Sequence, residues 1–184
     1  MSKNGPGENP AAGPVFIGIG ANLDSPVHGP PLATCAAAVR AISRAGIAVL
    51  RRARWYRSAP VPASDQPWFV NGVIEVAAEL AADEILARLH RIEDDFGRAR
   101  RRRNEARVLD LDLLAYGGLV QEAGTGPALP HPRLHQRAFV LLPLLELAPD
   151  WRHPLLGRAV RDLAAELPAG QQVEAIDEEG DGGP

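Results

Sequence analysis

An α+β fold, with a mainly antiparallel sheet flanked by helices, is what this sequence predicts, on three observations. Short runs alternating with period two are interleaved with segments of helical period, in the order β-α-β-β-α-β-α. The first strand is not followed by a glycine-rich phosphate loop: "GIGANLDS" matches neither nucleotide-binding fingerprint, so a P-loop or Rossmann site is not expected. A length of 184 residues, with 46% hydrophobic and 23% charged side chains, suits one domain around a sizeable core. The architecture expected is a ferredoxin-like sandwich.

Residues 1–14, rich in Gly, Pro and Asn, are expected to form a disordered tail. "VFIGIG" (15–20) then reads as a strand ending in glycine. "PLATCAAAVRAISRAG" reads as a helix stopped by Gly46, and "IAVLRRARWYRS" as a strand despite its charges. A Pro-containing loop, "APVPASDQP", leads into "WFVNGVIEVAAE". There Phe69, Asn71, Val73 and Glu75 share one face of a strand, and Val70, Gly72, Ile74 and Val76 the other. "ADEILARLHRIEDDFG" is an amphipathic helix with Ile85, Leu89, Ile92 and Phe96 as its core stripe and Gly97 as its stop. An arginine-dense loop precedes the strand "RVLDLDLLAYG" (107–117). "LPHPRLHQRAFVLLPLLELAP" is a loop running into a helix, "AVRDLAAEL" a last short helix, and "QQVEAI" a candidate strand. The single domain is expected over 15–173, and the acidic segment 174–184, "EAIDEEGDGGP", is expected to fray.

Composition narrows the function classes. A net charge of −3 argues against a general nucleic-acid or membrane binder, so basic character must be local. The one cysteine, Cys35, cannot form an internal disulfide and lies in an alanine-rich helix, where a small core thiol is expected. The amino terminus has no apolar stretch like that of a signal peptide, and nothing later is long enough to cross a bilayer, so the expected location is the cytoplasm.

The chemistry concentrates in the aspartate strand. Alternation puts Asp110 and Asp112 on one face, with Leu109, Leu111 and Leu113 on the other. Two like charges so close repel, and partial burial raises that cost. Mg²⁺, a hard ion that takes carboxylate oxygens and is usually completed by substrate phosphates, would resolve it; an edge strand with one solvated face would also tolerate the pair. Just upstream, residues 98–107 hold six of the nineteen arginines: Arg98, Arg100, Arg101, Arg102, Arg103 and Arg107. Guanidinium forks match phosphate oxygens, so the juxtaposition points to a polyphosphate. His90 and Glu93 lie three apart on the preceding helix, where ordinary surface polarity also accounts for them. His131 and His135 do not suggest zinc, because Pro132 disfavours a helical pair and no third ligand is evident.

These motifs, taken together, resemble the 6-hydroxymethyl-7,8-dihydropterin pyrophosphokinase family of folate biosynthesis. The matching segments are "IGIGANLDSP", "YRSAPV", "DQPWFVNGVIEV", "RIEDDFGR", "ARVLDLDLLAYG" and "LPHPRLHQRAFVLLPLLELAP", in the family's order over most of residues 15–157. The resemblance implies Mg²⁺-dependent transfer of pyrophosphate from ATP to the pterin hydroxymethyl group, with AMP as the other product. It implies two Mg²⁺ ions on Asp110 and Asp112, with Arg98 and Arg107 neutralising the moving pyrophosphate and Arg100 assisting. It places the pterin between Phe69 and Phe139, read by Asn71 with Ser58, the backbone of Val61 and the Gly20 region. His90, Glu93, His131 and Arg137 would surround ATP, with Leu113 near the adenine. The implied partners are these two small molecules, acting on a monomer with neither nucleic acid nor membrane. A folate-pathway neighbour such as dihydropteroate synthase would receive the product.

Several positions depart from the family pattern. "NEA" (104–106) stands where many relatives have Trp-Gly-Pro, in a loop one residue shorter. Ser58 replaces Thr, Phe69 Tyr, His90 Gln and Pro132 Tyr. The competing reading is another metal-dependent nucleotidyltransferase, which also sets paired aspartates on a strand but releases pyrophosphate. An RNA-binding arginine loop is disfavoured by the net negative charge and the lack of an aromatic–basic motif.

Overall fold

The computed structural model describes residues 13–97, 106–124 and 126–177; Arg98, Arg100, residues 1–12 of the first expected tail and 178–184 of the second lie outside the described residues. Strand β1 (Val15–Ala21) leads into helix α1 (Pro31–Arg44), then β2 (Val49–Arg52), β3 (Tyr56–Ser58) and β4 (Phe69–Val76). Helix α2 (Ala82–Asp95) precedes β5 (Asp110–Tyr116). A 3-10 turn (Leu134–Gln136), α3 (Ala138–Leu147), α4 (Val160–Ala165) and β6 (Val173–Ala175) complete the chain.

The strands form one antiparallel sheet in the order β5-β1-β4-β3-β6, with β2 pairing along the far half of β4. Alternation sorts the sheet's side chains between two cores. Ile17, Ile19, Ile74, Leu111 and Leu113 point into a core shared with Ile42 of α1 and Ile85, Leu89 and Ile92 of α2. Phe16, Val73 and Leu114 point the other way, against Val140, Leu141 and Leu144 of α3 and Val160 and Leu163 of α4. Helices thus cover both faces of an antiparallel sheet, as the period-two and helical segments predict.

One expectation needs correction. The run "IAVLRRARWYRS" is not one strand but two, β2 and β3, separated at residues 53–55. Trp55 turns inward there and is 4% exposed. Its ring lies so close over Gly72 that a Cβ at that position would fall 2.5 Å from it. The glycine opposite makes room for an indole where a straight ladder would need another side chain. At the other end, β6 (Val173–Ala175) forms within the candidate strand "QQVEAI", overlapping the first two residues of the segment expected to fray. Pairing with Tyr56 and Arg57 gives their backbone groups partners that a frayed end would leave to water.

Helix α1 begins on Pro30 and Pro31, where a missing N–H costs nothing. It ends at Gly46 (φ 77°), and Arg88 of α2 donates to the Ala45 carbonyl at 2.5 Å. At the start of α2, the Glu84 carboxylate accepts from Ala81 N at 3.1 Å. Cys35 is fully buried, as its helix predicts. Among the described residues no helix is long and apolar enough to cross a membrane.

Candidate functional site

The interior strand β1, next to the edge strand β5, carries glycine at positions 18 and 20, both on the α3 face, and their missing side chains open a trough in the sheet. By register Gly18 lies between Asp112 and Val73, and Gly20 between Asp110 and Asn71. A Cβ on Gly20 would come within 3.2 Å of Asn71 Oδ1, and one on Gly18 within 3.3 Å of the Leu114 side chain. The trough is the floor of an open cleft lined from β1, β3, β4, β5 and α3.

One wall of the cleft is β5. Asp110, Asp112 and Leu114 line it, while Leu111 and Leu113 are buried in the opposite core, so the two carboxylates share a face as the alternation requires. Arg107 enters the same wall, its guanidinium 2.6 Å from Asp110 Oδ1. The side chains of this pair are 22% and 24% exposed, so solvent screens them less than a surface ion pair. The other wall is polar at its base: Asn71 Nδ2 donates to Ser58 Oγ at 2.8 Å, with both residues buried. That bond turns Asn71 Oδ1 toward Gly20 and the cleft. Above it Phe69 and the loop from Ala59 through Val61 to Gln66 form the rim. From α3 come Arg137, Phe139 and Val140; the Arg137 guanidinium lies 5.3 Å from the Phe139 ring centroid.

The charges in this cleft are mutually adjusted. Burial, with Asp110 beside it, pushes the Asp112 carboxyl up to about 6, while Arg137 and Arg107 pull it back. Burial and the facing Arg133 draw the Arg137 guanidinium below its ordinary value, and Asp112 and Asp110 oppose that shift. Burial, with Arg137 and Arg133 nearby, lowers His131 to about 4, which leaves the imidazole neutral at pH 7. His131 Nδ1 accepts from Arg133 N at 3.2 Å, so the ring proton sits on Nε2.

Ten of the candidate residues therefore meet in one cleft: Gly20, Ser58, Val61, Phe69, Asn71, Arg107, Asp110, Asp112, Arg137 and Phe139. Four described candidates do not line it. Leu113 is 4% exposed in the core beneath the sheet. Glu93 is fully buried on α2, and its Oε1 accepts from Leu111 N at 2.8 Å, on the outer edge of β5 between the two aspartates. His90 lies one turn earlier on α2, half-buried. His131 is held at the end of β5 by its own N–H, which donates to Leu114 O at 2.7 Å. His135 lies against His153, ring centroids 5.6 Å apart, and among the described residues no three metal-ligating side chains cluster. A carboxylate pair without an all-protein cage fits Mg²⁺, which keeps waters and takes substrate phosphates.

Sequence reasoning did not single out Asn22. Its Oδ1 accepts from Arg107 N at 2.8 Å, and its own N donates to Arg107 O at 3.1 Å. Its Nδ2 reaches Gln66 Oε1 at 3.3 Å and Pro67 O at 3.2 Å. This buried amide ties Arg107, 85 residues further along the chain, to the loop ahead of Phe69, a contact that no local pattern announces. Gly18 was also missed, although it shares strand parity with Gly20.

The family profile described as 7,8-dihydro-6-hydroxymethylpterin-pyrophosphokinase (HPPK) matches residues 16–149. The chain belongs to this family. A 2-amino-4-hydroxy-6-hydroxymethyldihydropteridine pyrophosphokinase from Synechocystis is 37% identical over 152 residues, covering 82% of this chain and 74% of that protein. The protein of that name from Methylorubrum extorquens is 38% identical over 162 residues, 86% of this chain and 98% of its own length. Among solved structures, an HPPK-DHPS in complex with substrates superposes with a TM-score of 0.60 at 11% identity, over 83% of this chain. The Plasmodium falciparum HPPK-DHPS does so with the same score at 10% identity. This chain spans 42% of each of those two, and at such identity they bear on the fold alone. The HPPK match contains all the gathered cleft residues and ends before α4 and β6.

Proposed function

We propose that this chain transfers the β,γ-pyrophosphoryl group of ATP to the hydroxymethyl oxygen of 6-hydroxymethyl-7,8-dihydropterin. The observation that carries the proposal is the composition of one cleft. A like-charged carboxylate pair and two guanidinium groups stand across a glycine floor from a buried amide–hydroxyl pair, between two phenyl rings. Family membership and the names of the relatives support the same reading.

The flat pterin takes the aromatic side of the cleft, its faces against Phe69 and Phe139 and its heteroatom edge against Asn71 Oδ1, with Ser58 and the main chain of Val61 alongside. Asn71 serves this role because Ser58 already holds its Nδ2, leaving an acceptor of fixed orientation. The triphosphate takes the β5 side. Arg107 and Arg137 neutralise its oxygens there, and Arg98 and Arg100, from the adjoining loop, add further positive charge. His90, Glu93 and His131 belong to the nucleotide side, where the edge of β5 offers the adenine the main chain of Leu113.

Two Mg²⁺ ions on Asp110 and Asp112, when bound, supply the positive charge that offsets the pair's repulsion and binds polyphosphate oxygens. The protein's own contribution is placement. The pterin hydroxyl oxygen is held in line with the β-phosphorus; a new O–Pβ bond forms as the bridging O–Pβ bond breaks, the hydroxyl proton is released to solvent, and AMP leaves with the bridging oxygen. Positioning and electrostatic stabilisation by the arginines do most of the work. The transfer domain covers residues 15–173, extended to Ala175 by β6, and acts as a cytoplasmic monomer.

Incubation with ATP, Mg²⁺ and 6-hydroxymethyl-7,8-dihydropterin, followed by product identification, tests the reading. AMP and pterin diphosphate in equal amounts are expected. Free pyrophosphate with nucleotide joined to the acceptor would instead make the chain a nucleotidyltransferase.

A further inference from the structure

Gln171 lies just ahead of β6, beyond the part of the chain that the family profile matches. Its side-chain oxygen accepts from Ala138 N at 2.9 Å, and its side-chain nitrogen donates to Gln136 O at 2.9 Å. One amide thus grips the main chain on both sides of Arg137. Ala138 N is among the first donors of α3, the ones an α-helix cannot satisfy within itself. The N-cap, Arg137, makes no side-chain capping bond. The acceptor for this N1 amide, which an N-cap side chain reaching N2 or N3 does not serve, comes here from 33 residues away.

The residues next to Gln171 hold the opposite wall. Gln172 O accepts from Ala59 N at 3.1 Å, and Val173 pairs with Ser58. Three consecutive residues therefore join the wall carrying Arg137 and Phe139 to the wall carrying Ser58 and Val61. Both Arg137 and Phe139 project from the turn that Gln171 caps, with the guanidinium 5.3 Å from the ring centroid. A frayed first turn would move the ring and the guanidinium together.

We propose that Gln171 is a positioning residue of the transfer reaction, setting the span of the cleft across the pterin ring through Phe139 and Arg137. This rests on the pterin site proposed above. Its loss acts on binding, of the pterin through Phe139 and of the triphosphate through Arg137, more than on the chemical step, because the carboxylates and Arg107 stand on the opposite side of the cleft and Gln171 does not touch them.

The test compares Gln171→Ala with Glu146→Gln. Glu146 forms a second tie between α3 and the β3 region, accepting from Arg54 N and Arg54 Nε at 2.9 Å each and from the Tyr56 hydroxyl, outside the cleft. Gln171→Ala is expected to raise KM for the pterin about tenfold while kcat changes less than about threefold. Glu146→Gln is expected to lower Tm and leave that KM unchanged. Gln171→Glu can still accept from Ala138 N but cannot donate to Gln136 O, so an intermediate KM is expected; it carries the comparison if the alanine variant does not fold. A pterin KM for Gln171→Ala within twofold of the unaltered protein overturns the positioning role. So does an equal rise in Glu146→Gln, which would reduce Gln171 to general docking of α3. Unaltered protein that forms no AMP would defeat the transfer reading itself, a result distinct from both.

Discussion

Asp112 faces Asp110 across one intervening residue of β5, and burial together with that neighbour holds its carboxyl at about 6 rather than 3.8. A raised native value means that the folded state binds this proton more tightly than the unfolded chain does. The stability contributed is therefore full below the ordinary carboxylate value and is lost as pH rises through about 6. In the absence of Mg²⁺ and ATP, Asp112→Asn should stabilise the fold at pH 7.5 by roughly 1–3 kcal/mol. It should also flatten the fall in Tm between pH 4 and 6, as thermal melts across that range would show. The same substitution should nearly abolish turnover, since an amide is a poor ligand for a hard cation. Retained activity would remove Asp112 from the metal site. Phe139→Ala should raise the pterin KM selectively in steady-state kinetics, by about 1–2 kcal/mol of lost ring contact, and leave the KM for ATP near its original value. Cys35 offers a check on the core: burial pushes its thiol up to about 12, so thiol reagents should label it only once the protein unfolds.

At the scale of elements, β5 and β1 were legible because strand parity is a local rule. Two leucine-flanked aspartates must share a face, and Gly20 must share one with Gly18, wherever the strand lies in the sheet. The division of 49–58 into β2 and β3 was not legible, because it depends on Trp55 meeting Gly72 across the ladder. Glu93 shows the same limit. Its position within the "RIEDDFGR" motif gives no sign that its carboxylate meets Leu111 N, a contact made only when α2 packs on β5. Glu93→Ala would leave that buried donor unsatisfied and should cost about 1–3 kcal/mol in chemical denaturation. Glu93→Gln, which keeps an acceptor, should cost less.

Across the whole molecule, the cleft is assembled from residues spread between Gly18 and Val140, and its two walls are joined by Gln171 and Gln172 from outside the family match. The sequence motifs named most of the cleft's lining but not its braces, Asn22 and Gln171, since a brace is defined by which segments it joins. The buried Glu93 carboxylate has a further consequence. Strand β5 is at the rim of the sheet and is mostly apolar, and an uncovered rim strand offers unpaired amides to any passing chain. With α2 alongside and a carboxylate oxygen already occupying the Leu111 amide, a second molecule finds that place taken. The strand that bears the aspartates can thus stay at the border of the sheet without becoming a seed for self-association.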